Sequence, residues 1–126
     1  MRTAAATPAA APGGVPIRER VDTLDWPALA ESLARWGHAR TAPVLTPEEC
    51  AALAALYLDD ARFRSRVHME RYRFGVGDYA YFAHPLPPLV RALREALYAR
   101  LAPVANRWAE ALGEAFRYPP TLRAYL

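Results

Sequence analysis

The sequence predicts an α+β fold in which N-terminal helices, a short β-hairpin and a long kinked helix follow one another. Three observations carry this prediction. Apolar residues recur at helical spacing over 26–36, 46–57 and 89–112. A turn, Gly75-Val76-Gly77-Asp78, separates two aromatic-rich stretches. The chain has 126 residues, 53% of them hydrophobic, which is enough for one core and too short for two independent domains.

Residues 1–22 read as a disordered leader. Met1 to Pro16 is Ala, Pro, Thr and Gly without an aromatic residue, too little apolar surface to offset ordering. Its alanines are broken by prolines, unlike a secretory h-region, so the cytoplasm is the expected compartment. Residues 23–126 form the expected helical and hairpin part. The first helix spans Trp26–Trp36, with Asp25 as N-cap, Pro27 in the first turn and Gly37 as stop. Trp26, Leu29, Leu33 and Trp36 make its apolar stripe. Arg40–Leu45 is a short strand or an extended link, confined to an edge by Pro43.

Thr46-Pro47-Glu48-Glu49 reads as a capping box, with Leu45 and Cys50 placed as a hydrophobic staple. Leu53, Leu56 and Tyr57 are the expected buried face, Cys50 a small core residue, and Asp59-Asp60 the end of the helix. Val67–Phe74 and Tyr79–Phe82 alternate as two strands. His84-Pro85-Leu86-Pro87-Pro88 breaks the chain before a long helix. Its stripe is Leu89, Leu93, Leu97, Leu101, Val104, Trp108 and Leu112, expected to be core and to be kinked or divided at Pro103. Gly113 ends it, and Thr121 caps a last helix from Leu122. The chain stops about five residues into that apolar pattern, which is too short to be stable alone, so the polypeptide is expected to continue.

Composition excludes several classes. Cys50 is the single cysteine, so neither an internal disulfide nor a cysteine-based zinc site is available. No run approaches the roughly 18 apolar residues of a membrane helix. All sixteen basic residues are arginine and the net charge is +3, too modest to indicate nucleic acid by itself. The arginines accompany 27 alanines and 12 prolines, as a G+C-rich coding sequence would give. Gly75-Val76-Gly77 lacks the third glycine of a dinucleotide loop, and neither Ser32 nor Ser65 has an evident base.

Two constellations remain. His68, Glu70 and His84 have the composition of a two-histidine, one-carboxylate iron site, and His68 and Glu70 would share a strand face. His84 follows only across a hairpin and beside prolines, so a polar strand face is the simpler reading. The second is basic and aromatic: Arg62, Arg64, Arg66, Arg71 and Arg73 are interleaved with Phe63, Tyr72, Phe74, Tyr79, Tyr81 and Phe82. Cations beside aromatic platforms suit nucleic acid or another anionic partner. Arg64, Arg66, Arg71, Arg73, Tyr79 and Tyr81 are the candidate contacts. Arg62–Arg66 and Arg71–Arg73 fall on opposite strand parities, and Asp59, Asp60, Glu70 and Asp78 are available to pair with them.

The order Trp26-x-x-Leu29-x-x-x-Leu33-x-x-x-Gly37, then Leu45-Thr46-Pro47-Glu48-Glu49-Cys50-x-x-Leu53-x-x-Leu56-Tyr57, resembles the entry to iron(II)/2-oxoglutarate-dependent dioxygenases. Phe63-Arg64-Ser65-Arg66-Val67, Met69-Glu70-Arg71, Phe74-Gly75-x-Gly77-x-Tyr79-x-Tyr81-Phe82, Pro85-Leu86-Pro87 and Leu101-Ala102-Pro103-Val104-Ala105-Asn106-Arg107-Trp108 are similar to one bacterial family of these oxygenases. The resemblance runs from about Leu24 to Leu126. It implies a lead-in layer to a double-stranded β-helix (jelly-roll) oxygenase, with Fe(II) and 2-oxoglutarate as cofactors and alkyl-damaged DNA bases as substrate. The family's His-x-Asp motif, distal histidine and 2-oxoglutarate-binding arginine have no counterpart here. The resemblance therefore assigns no catalytic, cofactor or metal residue to this chain, which by itself is expected to bind neither cofactor and to be inactive. Two rivals stand beside this reading: a non-catalytic α+β binding module that uses the same arginine/aromatic cluster for nucleic acid, single-stranded nucleic acid in the first place, or another anion, and a truncated remnant without function.

Overall fold

A computed structural model describes residues 14–126. The fold is α+β, with α1 (Ile17–Asp22), α2 (Trp26–Trp36), α3 (Pro47–Leu56), β1 (Phe63–His68), β2 (Asp78–Phe82), α4 (Pro88–Ala111) and α5 (Leu122–Tyr125). Of the described residues, 14–46 together with Leu89–Leu126 form a helical unit. Pro47–Pro88 form a hairpin unit.

The core of the helical unit is Ile17 and Val21 of α1 with Ala96 of α4, and Trp26, Val44, Leu45, Leu89, Leu93 and Leu97 pack around it. Residues 17–22, expected to belong to the leader, thus form a helix that carries the core. Six residues cannot hold a helix alone. Burial of an i, i+4 apolar pair and the partners of Arg20 supply what local propensity lacks. The Arg20 guanidinium is buried and donates to the Val15 carbonyl at 2.6 Å and the Val44 carbonyl at 3.1 Å. The Trp26 indole N–H donates to the Val21 carbonyl at 2.8 Å, and Arg100 of α4 reaches Asp22 at 2.9 Å. Residues 1–13 of the expected leader lie outside the described residues.

α2 has the expected bounds. Asp25 accepts from the Ala28 N–H, and Gly37 ends the helix with φ 74°, a left-handed turn that favours glycine. Residues 40–45 form neither helix nor strand. α4 continues through Pro103 instead of dividing there, and buried Ala102 and Val104 flank the ladder bond that proline removes. Beyond Gly113 the chain returns to α4. The Asn106 amide donates to the Tyr118 carbonyl at 2.9 Å and accepts the Tyr118 N–H at 2.7 Å. Tyr98 donates to the Pro119 carbonyl, and its ring lies 5.8 Å from that of Tyr125. Thr121 caps α5 through the Ala124 N–H, as its position predicts.

The apolar stripes are only partly core. Leu29 and Val104 are buried, but Trp36, Leu101, Trp108 and Leu112 are exposed. Periodicity locates the face of a helix. It does not ensure that neighbours cover that face fully, and Trp36 and Leu112 stay 63% and 78% exposed.

In the hairpin unit, α3 begins at Pro47 as its sequence signal requires, yet it has no buried residue. Leu53 and Leu56 are half-buried, Tyr57 is at the margin of exposure, and Cys50 is exposed rather than core. Asp59 caps a 3-10 turn, Asp60–Arg62, through the Ala61 N–H. β1 and β2 pair antiparallel as Phe63↔Phe82, Ser65↔Tyr81, Arg66↔Ala80, Val67↔Tyr79 and His68↔Asp78, with an irregularity between Phe63 and Ser65.

The first strand therefore lies four residues earlier than the expected Val67–Phe74. Residues 69–72 form a 3-10 turn, and Arg73 follows in left-handed backbone at φ 58°. Cross-strand pairing decides the register. The Phe63 and Phe82 rings stack at 5.0 Å, and the Met69 N–H donates to the Gly77 carbonyl, closing the ladder where β2 begins. Alternation simply runs on past the last residue that has a partner.

Candidate nucleic-acid interface

The hairpin has two unlike faces, set by the register. On one, Arg66 is fully engaged. Its Nε donates to Asp60 at 2.9 Å and an Nη donates to the Tyr57 carbonyl. Its guanidinium lies over the rings of Tyr57, at 4.6 Å, and Phe63, at 4.8 Å. The Tyr57 hydroxyl donates to Asp78 at 2.6 Å. That hydrogen bond to a carboxylate, followed by desolvation and the Asp78 charge, raises the Tyr57 pKa above the ordinary tyrosine value. Arg66, Tyr57, Asp60 and Asp78 thus tie the hairpin to the segment that follows α3.

On the other face the cross-strand partners are Ser65 with Tyr81 and Val67 with Tyr79. The two tyrosine rings meet edge to face at 5.7 Å and stay 44% and 48% exposed. The irregularity after Phe63 brings Arg64 to this side, and its guanidinium lies 5.1 Å from the Tyr81 ring centroid. Alternation puts His68 and Asp78 on the Arg66 side, so the tyrosine face carries a cation and no strand carboxylate.

Arg71 and Arg73 are not on a strand, contrary to the parity argument. They sit in the 3-10 turn and directly after it, exposed, with no ion-pair or side-chain hydrogen-bond partner among the described residues. Phe74 and Val76 beside them are exposed at the tip. Of the six expected contacts, the structure brings Arg64, Tyr79 and Tyr81 together and places Arg71 and Arg73 at the tip. It commits Arg66 to internal contacts. Sequence reasoning missed Tyr57 as the partner of Arg66 and Asp78, because no local spacing links positions nine and twenty-one residues apart.

His68 ends β1, Glu70 lies in the 3-10 turn and His84 follows β2. Among the described residues no three His, Cys, Asp or Glu side chains form a group able to hold a metal ion. His68, Glu70 and His84 do not fit an iron centre. In the helical unit an open apolar groove is lined by residues 40–45 with Leu93 and Leu97. Its ionisable group is Arg40, and nothing there resembles a catalytic pair.

Residues 77–126, which include β2, α4 and α5, match the model of a family described as an oxygenase catalysing oxidative methylation of damaged DNA. No curated protein and no solved structure matches the chain. No helix among the described residues is long and apolar enough to cross a membrane.

Proposed function

We propose that this chain is the N-terminal part of a cytoplasmic, bacterial, non-haem Fe(II)/2-oxoglutarate-dependent dioxygenase that oxidises alkyl-damaged DNA bases. The observation that carries this reading is the match of residues 77–126 to an oxygenase family described for damaged DNA. It falls on a chain whose hairpin presents Arg64, Arg71 and Arg73 without carboxylate partners among the described residues. Iron and 2-oxoglutarate would be held by residues outside this chain, in a jelly-roll that the present segment buttresses. The contribution assigned to this segment is binding: arginines at the hairpin tip engage phosphates and orient the strand.

The test uses the natural polypeptide, isolated with its mass verified and incubated with Fe(II), 2-oxoglutarate, oxygen and a methylated oligonucleotide. Succinate release coupled to modification of the methylated base is expected. The double substitution Arg71→Ala/Arg73→Ala should raise KM for DNA several-fold and leave 2-oxoglutarate affinity unchanged. Absence of coupled turnover in the intact protein overturns the assignment. Turnover with an unchanged KM in the double variant overturns the role of the two arginines.

A further inference from the structure

The hairpin's two faces are chemically distinct, and that asymmetry narrows the form of DNA the surface can take. The Arg66 face is closed by its own contacts. The opposite face holds two half-exposed tyrosine rings on one strand, opposed by the short side chains of Ser65 and Val67. Arg64 lies beside them with no hydrogen-bond or ion-pair partner among the described residues. Core tyrosines are ordinarily covered by neighbours, whereas these rings meet edge to face, with Arg64 over the Tyr81 ring, and still leave nearly half of their area open to solvent.

We infer that the Tyr79–Tyr81–Arg64 face is a stacking platform for unpaired bases of single-stranded DNA, with Arg64 placed to receive the adjoining phosphate. The inference rests on the DNA reading above and goes further in choosing the strand form. A base inside a duplex has both π-faces covered by its neighbours, so an open tyrosine ring can stack only on a base that has left the helix. Ring-on-base stacking tolerates any sequence, because every base has a π-face. Charge favours a DNA ligand: Arg62 and Arg66 are paired with Asp59 and Asp60, and Asp78 lies on the other face, held by Tyr57, which leaves Arg64, Arg71 and Arg73 as the available cations of the hairpin. Arg71 and Arg73 at the tip serve either strand form, since they meet phosphates and not bases.

The experiment is fluorescence anisotropy of the natural polypeptide with a labelled oligonucleotide of about a dozen nucleotides, a length within the known span of such sites, as a single strand and as its duplex. Single-stranded DNA is expected to bind about tenfold more tightly than duplex. Tyr79→Leu and Tyr81→Leu should each weaken single-strand binding about tenfold and leave duplex binding unchanged, while Tyr79→Phe and Tyr81→Phe keep the ring and the affinity. Arg71→Ala/Arg73→Ala should weaken both forms alike and flatten the salt dependence. DNA binding that depends on Arg71 and Arg73 but ignores both leucine substitutions overturns the platform and leaves the DNA reading standing. Failure to bind either strand form at low salt overturns the DNA-contact role itself, and the platform with it.

Discussion

The helical unit and the hairpin unit are held by different physics. Around α1 and α4 the contacts are those of a small core. Val21 is completely buried, Ile17 and Ala96 flank it, and the Arg20 guanidinium is satisfied by carbonyls. Across the hairpin unit, Pro47–Pro88, the only buried residue is Pro87, next to its end. That unit is held by the β1–β2 ladder, one stacked phenylalanine pair, a guanidinium laid over two rings and bonded to Asp60, and a tyrosine–aspartate hydrogen bond. A core resists opening because apolar area must be returned to water. Surface polar contacts resist it weakly, because water replaces them. The candidate interface lies on the weaker unit, as expected of a surface that must meet a partner.

The sharpest way to break this comparison is inside the core. Val21→Ala should destabilise the protein by about 2 kcal/mol, the transfer of two methyl groups plus the cavity they leave. Chemical denaturation with an unchanged slope measures it. Next is Asn106→Ala, which strands the half-buried N–H and carbonyl of Tyr118 and should cost about 1.5 kcal/mol by the same measurement. Arg66→Ala should cost about 1 kcal/mol, concentrated in one unit. Amides of β1 and β2 should exchange faster by hydrogen–deuterium exchange while those of α4 are unaffected. Equal acceleration in α4 would mean that the two units open together.

Alkaline pH probes the same tie. The Tyr57 pKa is raised, chiefly by its hydrogen bond to Asp78, so the folded hairpin favours the protonated phenol. That contribution is fully present below the ordinary tyrosine pKa of about 10 and is lost as pH rises through the higher folded value. Amide exchange in β2 should show an additional alkaline opening that Tyr57→Phe removes. Smallest of all, Leu58→Ser is expected to change stability by less than about 0.5 kcal/mol, because Leu58 is already 88% exposed. A larger loss in a thermal melt would reveal a hidden partner for that side chain.

Local chemistry made much of the chain legible. Asp25, Gly37, Pro47, Gly113 and Thr121 mark helix boundaries because a cap or a left-handed turn is a property of a few adjacent residues. The glycines of the hairpin turn were readable for the same reason, and so was the basic-aromatic character of its surroundings, but the connection runs over 69–77 and Asp78 already belongs to β2. The α1 helix was not, since Ile17 and Val21 become core only when α4 lies against them. Strand register was not either, because the Phe63–Phe82 and Met69–Gly77 pairs join residues that no periodicity connects. The same holds within the candidate site. The sequence determined that five arginines and several rings are gathered near one turn. Only the tertiary structure decided that Arg66 is consumed by Asp60, Tyr57 and Phe63, while Arg64 stands with Tyr79 and Tyr81 on an open face. Side-chain type is written residue by residue, whereas the partner that occupies or spares a side chain is set by pairing across the sheet.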